Sequence, residues 1–152
     1  MKIRILKWTV FIAVLLAWIG PACAQSSPPA GIRTITLETG EKVPDLNGEW
    51  DATTEFYGRY LNWGSARNII KITQEGSTFT AIRLQDDEGA SYVKRRKGSM
   101  FMQGEVDKDG FKTLFWVDSS ARLLPCAGKL SPDLDLLKLD EGFFVRSTLK
   151  RR

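Results

Sequence analysis

The sequence predicts an all-β protein: an up-and-down antiparallel meander of about eight short strands closed into a small barrel, behind a cleaved signal peptide. Three observations predict it. Runs rich in β-branched and aromatic residues, several of them alternating with period two, recur near the ~8–12-residue spacing of sandwiches and barrels. The breaks between runs hold Gly, Asp, Asn, Ser and Pro, each suited to a turn for its own steric or hydrogen-bonding reason. No stretch of useful length carries the 3.6-residue apolar period of an amphipathic helix.

The chain opens with the cations Lys2, Arg4 and Lys7, followed by an uncharged apolar run at 8–20 (WTVFIAVLLAWIG). Ala22 and Ala24 supply the small residues of a signal-peptidase site. The run is shorter than the ~20 residues a spanning helix needs. Residues 1–24 are therefore expected to be removed, leaving a chain that starts near Gln25 in a bacterial periplasm or outside the cell. Cys23 leaves an alternative open, because a lipoprotein signal is cut before a cysteine that then carries lipid; membrane association is expected in that case alone. Gly20 and Pro21 depart from that signal.

Cleavage changes the charge argument. The leader holds three basic residues and no acidic one, so the formal charge falls from +4 to +1 over the remaining 128 residues. That near-neutral balance gives no reason to expect a nucleic-acid partner. A chain of this length suits one domain with one core. Cys126 is then the remaining cysteine, which excludes an intramolecular disulfide. Its setting, LLPCAG, reads as that of a small buried hydrophobe, with a reactive thiol or an intermolecular disulfide as the alternative.

Residues 25–45 begin with QSSPPAG and are expected to form a flexible linker or arm, with 32–37 as a short edge strand or extended segment. The barrel domain is expected over 46–152. Its first strand is 47–57 (NGEWDATTEFY). There Trp50, Ala52, Thr54 and Phe56 share one face, and Glu49, Asp51, Thr53 and Glu55 share the other. A loop with two aromatics follows at 58–65. Residues 67–74 and 78–85 flank a Glu75-Gly76-Ser77 turn and predict a hairpin. Asp86-Asp87-Glu88-Gly89 reads as a solvated turn, and 91–97 as a charged strand or exposed crossover. Residues 99–106 and 111–117 flank the turn Asp107-Lys108-Asp109-Gly110. A short run at 125–130 and two more within 134–149 complete the set.

In the order of these features the chain resembles the lipocalin-like, or calycin-type, β-barrels. The resemblance rests on a G-x-W on the first barrel strand, here Gly48-Glu49-Trp50, and on the meander that follows. Avidin-like barrels share the G-x-W. The resemblance implies an arginine on the last strand that packs over the tryptophan and closes one end; Arg146 is the expected residue. It also implies that the first loop covers the open end, which makes Tyr57, Tyr60 and Trp63 the expected ligand contacts. Packing of the lid itself is the alternative role for those three.

The chemistry available narrows the function further. The sequence contains no His, which removes the commonest general base and the commonest metal ligand. One mature cysteine does not build a thiolate metal site, and the acidic turns lack the spacing of a Ca²⁺ loop. No cofactor, metal or catalytic residue is expected. Lys94-Arg95-Arg96-Lys97 is the one dense charge run, a surface for an anion or a partner, or else a charged edge that keeps the barrel from pairing with another. Two expectations follow. The first is a non-enzymatic envelope module that holds a small apolar or amphipathic molecule. The second is a protein–protein module, such as an inhibitor or accessory factor of an envelope enzyme.

Overall fold

Strand β3 (Gly48–Phe56) sets the geometry, because its alternation is kept in three dimensions: Trp50, Ala52, Thr54 and Phe56 are buried, while Glu49, Asp51 and Glu55 are exposed. The computed structural model describes residues 33–89, 95–118, 120–140, 142 and 144–152. The expected signal peptide, the Cys23 alternative and Lys94 lie outside the described residues.

The strands in chain order are β1 (Thr34–Thr36), β2 (Lys42–Pro44), β3, β4 (Ser65–Glu75), β5 (Thr78–Arg83), β6 (Met100–Asp107), β7 (Gly110–Val117), β8 (Leu123–Pro125), β9 (Ala127–Leu130), β10 (Leu136–Asp140) and β11 (Val145–Arg151). Between β3 and β4 the chain makes a short 3-10 helix, Gly58–Trp63, over the stretch expected as a loop. The expected antiparallel meander forms. Nine strands pair in the order β8-β7-β6-β5-β4-β3-β11-β10-β9, and every pairing is antiparallel.

The sheet nearly closes on itself, and the strand number differs from eight for that reason. Its two outer strands, β8 and β9, are consecutive in the chain and separated by Cys126 alone. The first pairs with β7, the second with β10. At the switch, the Cys126 N–H donates to Leu114 O at 3.0 Å. The run expected at 125–130 is thus shared between the two sides of the seam. Gly128 suits the closure, since a Cβ there would run into the Leu114 side chain and lie 2.9 Å from Phe111 Cδ2.

Side chains from all around the sheet fill the inside: Trp50, Ile70, Ile72, Met102, Leu137 and Leu149 are at most 1% exposed. A bulge between Ala81 and Ile82 lets two successive residues of β6, Phe101 and Met102, both turn inward. Polar groups inside are matched in pairs where the register brings them together. Thr54 and Ser147 are partners across β3 and β11, and their hydroxyls lie 2.9 Å apart.

One end of the barrel is plugged. Residues 34–44, expected within a flexible arm, form the β1–β2 hairpin, whose Val43 is fully buried and whose Ile35 packs on the core. Gln74 ties it down: its Oε1 accepts the Leu46 N–H at 2.8 Å, and its Nε2 donates to Pro44 O and Gly76 O, each at 3.0 Å. Beside Gln74, Leu46 O accepts the Trp50 indole N–H at 3.1 Å. The opposite end carries the connections after β3, β5, β7 and β10, of which those after β3 and β5 are the longest.

The arginine over Trp50 is Arg151, not Arg146. Its guanidinium carbon lies 4.4 Å from the Trp50 ring centroid. Parity explains the correction. Along β11, Val145, Ser147 and Leu149 face inward, so Arg146 faces out, and Arg151, five residues on, faces in. Register agrees, pairing Arg151 with Trp50 and Arg146 with Glu55. Arg146 instead lies 4.7 Å over the Tyr57 ring and pairs with Asp140 at 2.9 Å.

Candidate functional site

The end opposite the plug is where the expected contacts and an unexpected set of charges gather. The 3-10 helix bends the chain across this end as β3 runs out; Gly58 opens it at φ 60° and Gly64 follows it at φ 76°. Tyr60 and Trp63 meet there, their rings 4.3 Å apart. Trp63 also meets Phe56 at 5.4 Å, and Tyr60 meets Phe144 edge-on at 4.8 Å. Arg59 caps the group, lying 4.6 Å from Phe144 and 4.9 Å from Tyr60. Tyr57 adjoins this group, its backbone N–H donating to Phe144 O at 2.9 Å. Its hydroxyl donates to Asp140 Oδ1 at 3.1 Å, beneath Arg146, on the side formed by β10 and β11.

Across the same end, the inward alternation of β5 through Phe79 and Ala81 ends in Arg83, which is 1% exposed. Such a charge needs compensation, because burial removes its hydration. Asp87 supplies it, accepting from Arg83 Nε at 3.2 Å and from Asn68 Nδ2 at 2.5 Å. Arg83 Nη1 donates to Met100 O at 2.5 Å. Asp87, expected in a solvated turn, is therefore a buried counterion, its side chain 3% exposed. Four residues after Arg83, it follows the end of β5 and folds back over the barrel mouth.

Among the described residues of the basic run, Arg95 faces differently from Arg96 and Lys97. Arg95 turns in and lies 4.4 Å over the Trp116 ring. Arg96 and Lys97 stay outside, and both engage Asp86: Arg96 Nη1 donates to Oδ2 at 3.1 Å, and the Lys97 N–H donates to Oδ1 at 2.8 Å. Burial, together with the positive charge of Arg83, draws the Arg95 guanidinium down to about 10, while Asp87 and Asp118 oppose the fall. Burial likewise lowers Arg83, against the pull of Asp87. Both remain cations at neutral pH.

Between these arginines and the start of β8 runs a groove of about 530 Å³. Arg83, Arg95, Met100, Val117, Asp118 and Leu123 are among the residues that line it. Asp118, the acidic member, is engaged by Arg122 at 2.6 Å, and its Oδ1 accepts the N–H groups of Ser120 and Arg122. The arrangement offers donors and positive charge beside an apolar strip. It suits recognition of a molecule with a polar and an apolar part.

The sequence argument missed Arg83, Asp87, Asn68 and Trp116. A signal was present for Arg83, since the alternation Phe79, Ala81, Arg83 already put it on the core face. Among the described residues, no three His, Cys, Asp or Glu side chains gather as a metal site, and no helix is long and apolar enough to cross a membrane. No protein-family model matches the chain, and neither the curated proteins nor the solved structures provide a match.

Proposed function

We propose that the chain is an exported, non-enzymatic binding barrel of the bacterial envelope, taking a small amphipathic molecule at its open end. The observation that carries the reading is the groove at that end, with guanidinium groups beside Met100, Val117 and Leu123. Its volume falls in the ~300–1,000 Å³ range typical of small-molecule sites. The aromatic group of Tyr60, Trp63 and Phe144 lies at the same end but does not line the groove. A lipocalin-like relationship is part of this reading. Its supports are the G-x-W of β3 and the last-strand arginine stacked on that tryptophan, a place taken by Arg151.

Native mass spectrometry of the protein recovered from an expressing bacterial envelope, followed by the denaturing mass of the same sample, tests it. Extra mass that is lost on denaturation is the expected result. A bare chain, co-purifying with a stoichiometric second protein, would overturn the reading in favour of a protein-interaction module. The denaturing mass also reads the N-terminus. A chain starting at Gln25 fits export by simple cleavage, and a lipid adduct on Cys23 fits a membrane anchor.

A further inference from the structure

We infer that the groove at the open end holds an oxyanion, a phosphate, sulfate or carboxylate group of a small molecule, against the guanidiniums of Arg83 and Arg95. The inference deepens the binding reading above and rests on it for the apolar part of the ligand.

Three observations meet at this place. The first is unused donors. Arg83 Nη2 and Arg95 Nε are buried, and neither has a hydrogen-bond acceptor among the described residues. The Trp116 indole N–H, under Arg95, is in the same condition. Folded proteins rarely leave buried donors unmatched, and a guanidinium is the costliest kind to leave so. Trp116 does not line the groove and serves as the platform that fixes Arg95; Asn68 does not line it either and is not assigned to the ligand.

The second is charge. Arg83 and Arg95 both line the groove, and the buried carboxylate beside them is Asp87, already accepting from Arg83 Nε and from Asn68. Arg95 makes no ion pair among the described residues. The other charged groups facing the groove are occupied: Asp118 with Arg122, Arg96 with Asp86. The balance left over is positive. An oxyanion in the groove offsets that charge, and the planar fork of arginine matches it in geometry.

The third is size. A groove of about 530 Å³ exceeds what an inorganic ion fills. The remaining wall includes Met100, Val117 and Leu123, of which Met100 is 38% and Leu123 46% exposed. The oxyanion is thus one end of a molecule whose other end is apolar.

Three matched probes test this: phenyl phosphate, inorganic phosphate and phenol. Each is titrated into the protein by calorimetry, with the arginine Nε–H and tryptophan indole N–H resonances followed in parallel. Phenyl phosphate is expected to bind at least tenfold more tightly than phenol, to shift the Arg95 and Trp116 signals, and to weaken as salt is raised. Arg95→Gln is expected to bring phenyl phosphate down to the affinity of phenol. Arg95 is the residue to change, because substituting Arg83 strips Asp87 of its counterion and threatens the fold.

Equal affinity for phenol and phenyl phosphate, or an Arg95→Gln protein that binds both as before, would overturn the oxyanion site and leave the binding barrel standing. Saturable shifts with inorganic phosphate, and no gain from the phenyl group, would keep the oxyanion site and remove the amphipathic ligand. Unmoved resonances with all three probes would overturn the oxyanion site, and the mass measurement above would then judge the barrel alone.

Discussion

Arg151 lies directly across from Trp50 in the β3–β11 ladder and stacks on its ring at 4.4 Å, and in the same pose it ties the chain entering β3 to the chain leaving β11. Its Nη1 donates to Asn47 O at 2.6 Å, its Nη2 to Asp45 O at 2.8 Å, and its Nε to Leu134 O at 3.3 Å. Three segments of the plugged end are thus held by one guanidinium over one indole.

Urea denaturation should therefore separate two arginines of the same strand. Trp50→Ala removes a fully buried side chain and is expected to cost about 3–5 kcal/mol. Arg151→Ala removes charge-assisted bonds to carbonyls and is expected to cost about 1.5–3 kcal/mol. Arg146→Ala removes a pair whose arginine is 63% exposed, and little change in stability is expected. An Arg146→Ala loss as large as that of Arg151→Ala would contradict the assignment of Arg151 to the closure.

Gln74→Ala tests how the hairpin is held. The substitution strands the Leu46 N–H and the carbonyls of Pro44 and Gly76, at a cost of about 1–3 kcal/mol. Residues 34–44 are expected to become protease-sensitive before the barrel unfolds. Cleavage there at the wild-type rate would show that Val43 packing holds the hairpin without Gln74.

Gly104→Ala tests the fit of the middle of the barrel. A Cβ at Gly104 would collide with Thr113 O, a backbone atom, and lie 3.0 Å from Phe79 Cζ. Backbone cannot yield as a flexible side-chain end does, so about 1–3 kcal/mol of destabilisation is expected. A melting temperature equal to that of the parent would mean that β6 and β7 have slack at this point.

Asp140 gives a pH dependence of known sign. The Gly142 N–H, chiefly, holds its carboxyl below the ordinary 3.8; partial burial opposes this, and Arg146 and Tyr57 reinforce it. A carboxylate with a lower value in the folded state than in the unfolded one stabilises the fold above the unfolded value, and that contribution disappears as pH falls through the folded value. Asp140→Asn should therefore lower stability at pH 7 and narrow its gap to the parent below about pH 4. A gap independent of pH would assign the role of Asp140 to its shape and not to its charge.

Period-two patterning made the barrel legible where strands are long and one-faced, as in β3 and the β4–β5 hairpin. Counting parity both ways from Leu149 would also have separated Arg151 from Arg146. Other features depend on contacts that no local pattern carries. The β1–β2 hairpin has two three-residue strands and is held by Gln74, some thirty positions away. Asp86-Asp87-Glu88-Gly89 looks like an acidic turn in water, and Asp87 is buried because Arg83 precedes it on an inward position. Arg95 and Arg96 are adjacent and chemically alike, yet Trp116 offers a face to the first and Asp86 an oxygen to the second. In the first loop, the sequence marked Tyr57, Tyr60 and Trp63 as a group. The fold keeps two of them together and sends Tyr57 to Asp140.

Arg33 and Arg152 share the plugged end, since Arg33 O accepts the Asp45 N–H there and Arg152 follows Arg151 out of the same ladder. A sensor chip coupled at Arg152 would then grip the molecule by its base. The mouth with Arg95 and Trp63 would point into the flow, so immobilised-protein assays sample it without obstruction by the support.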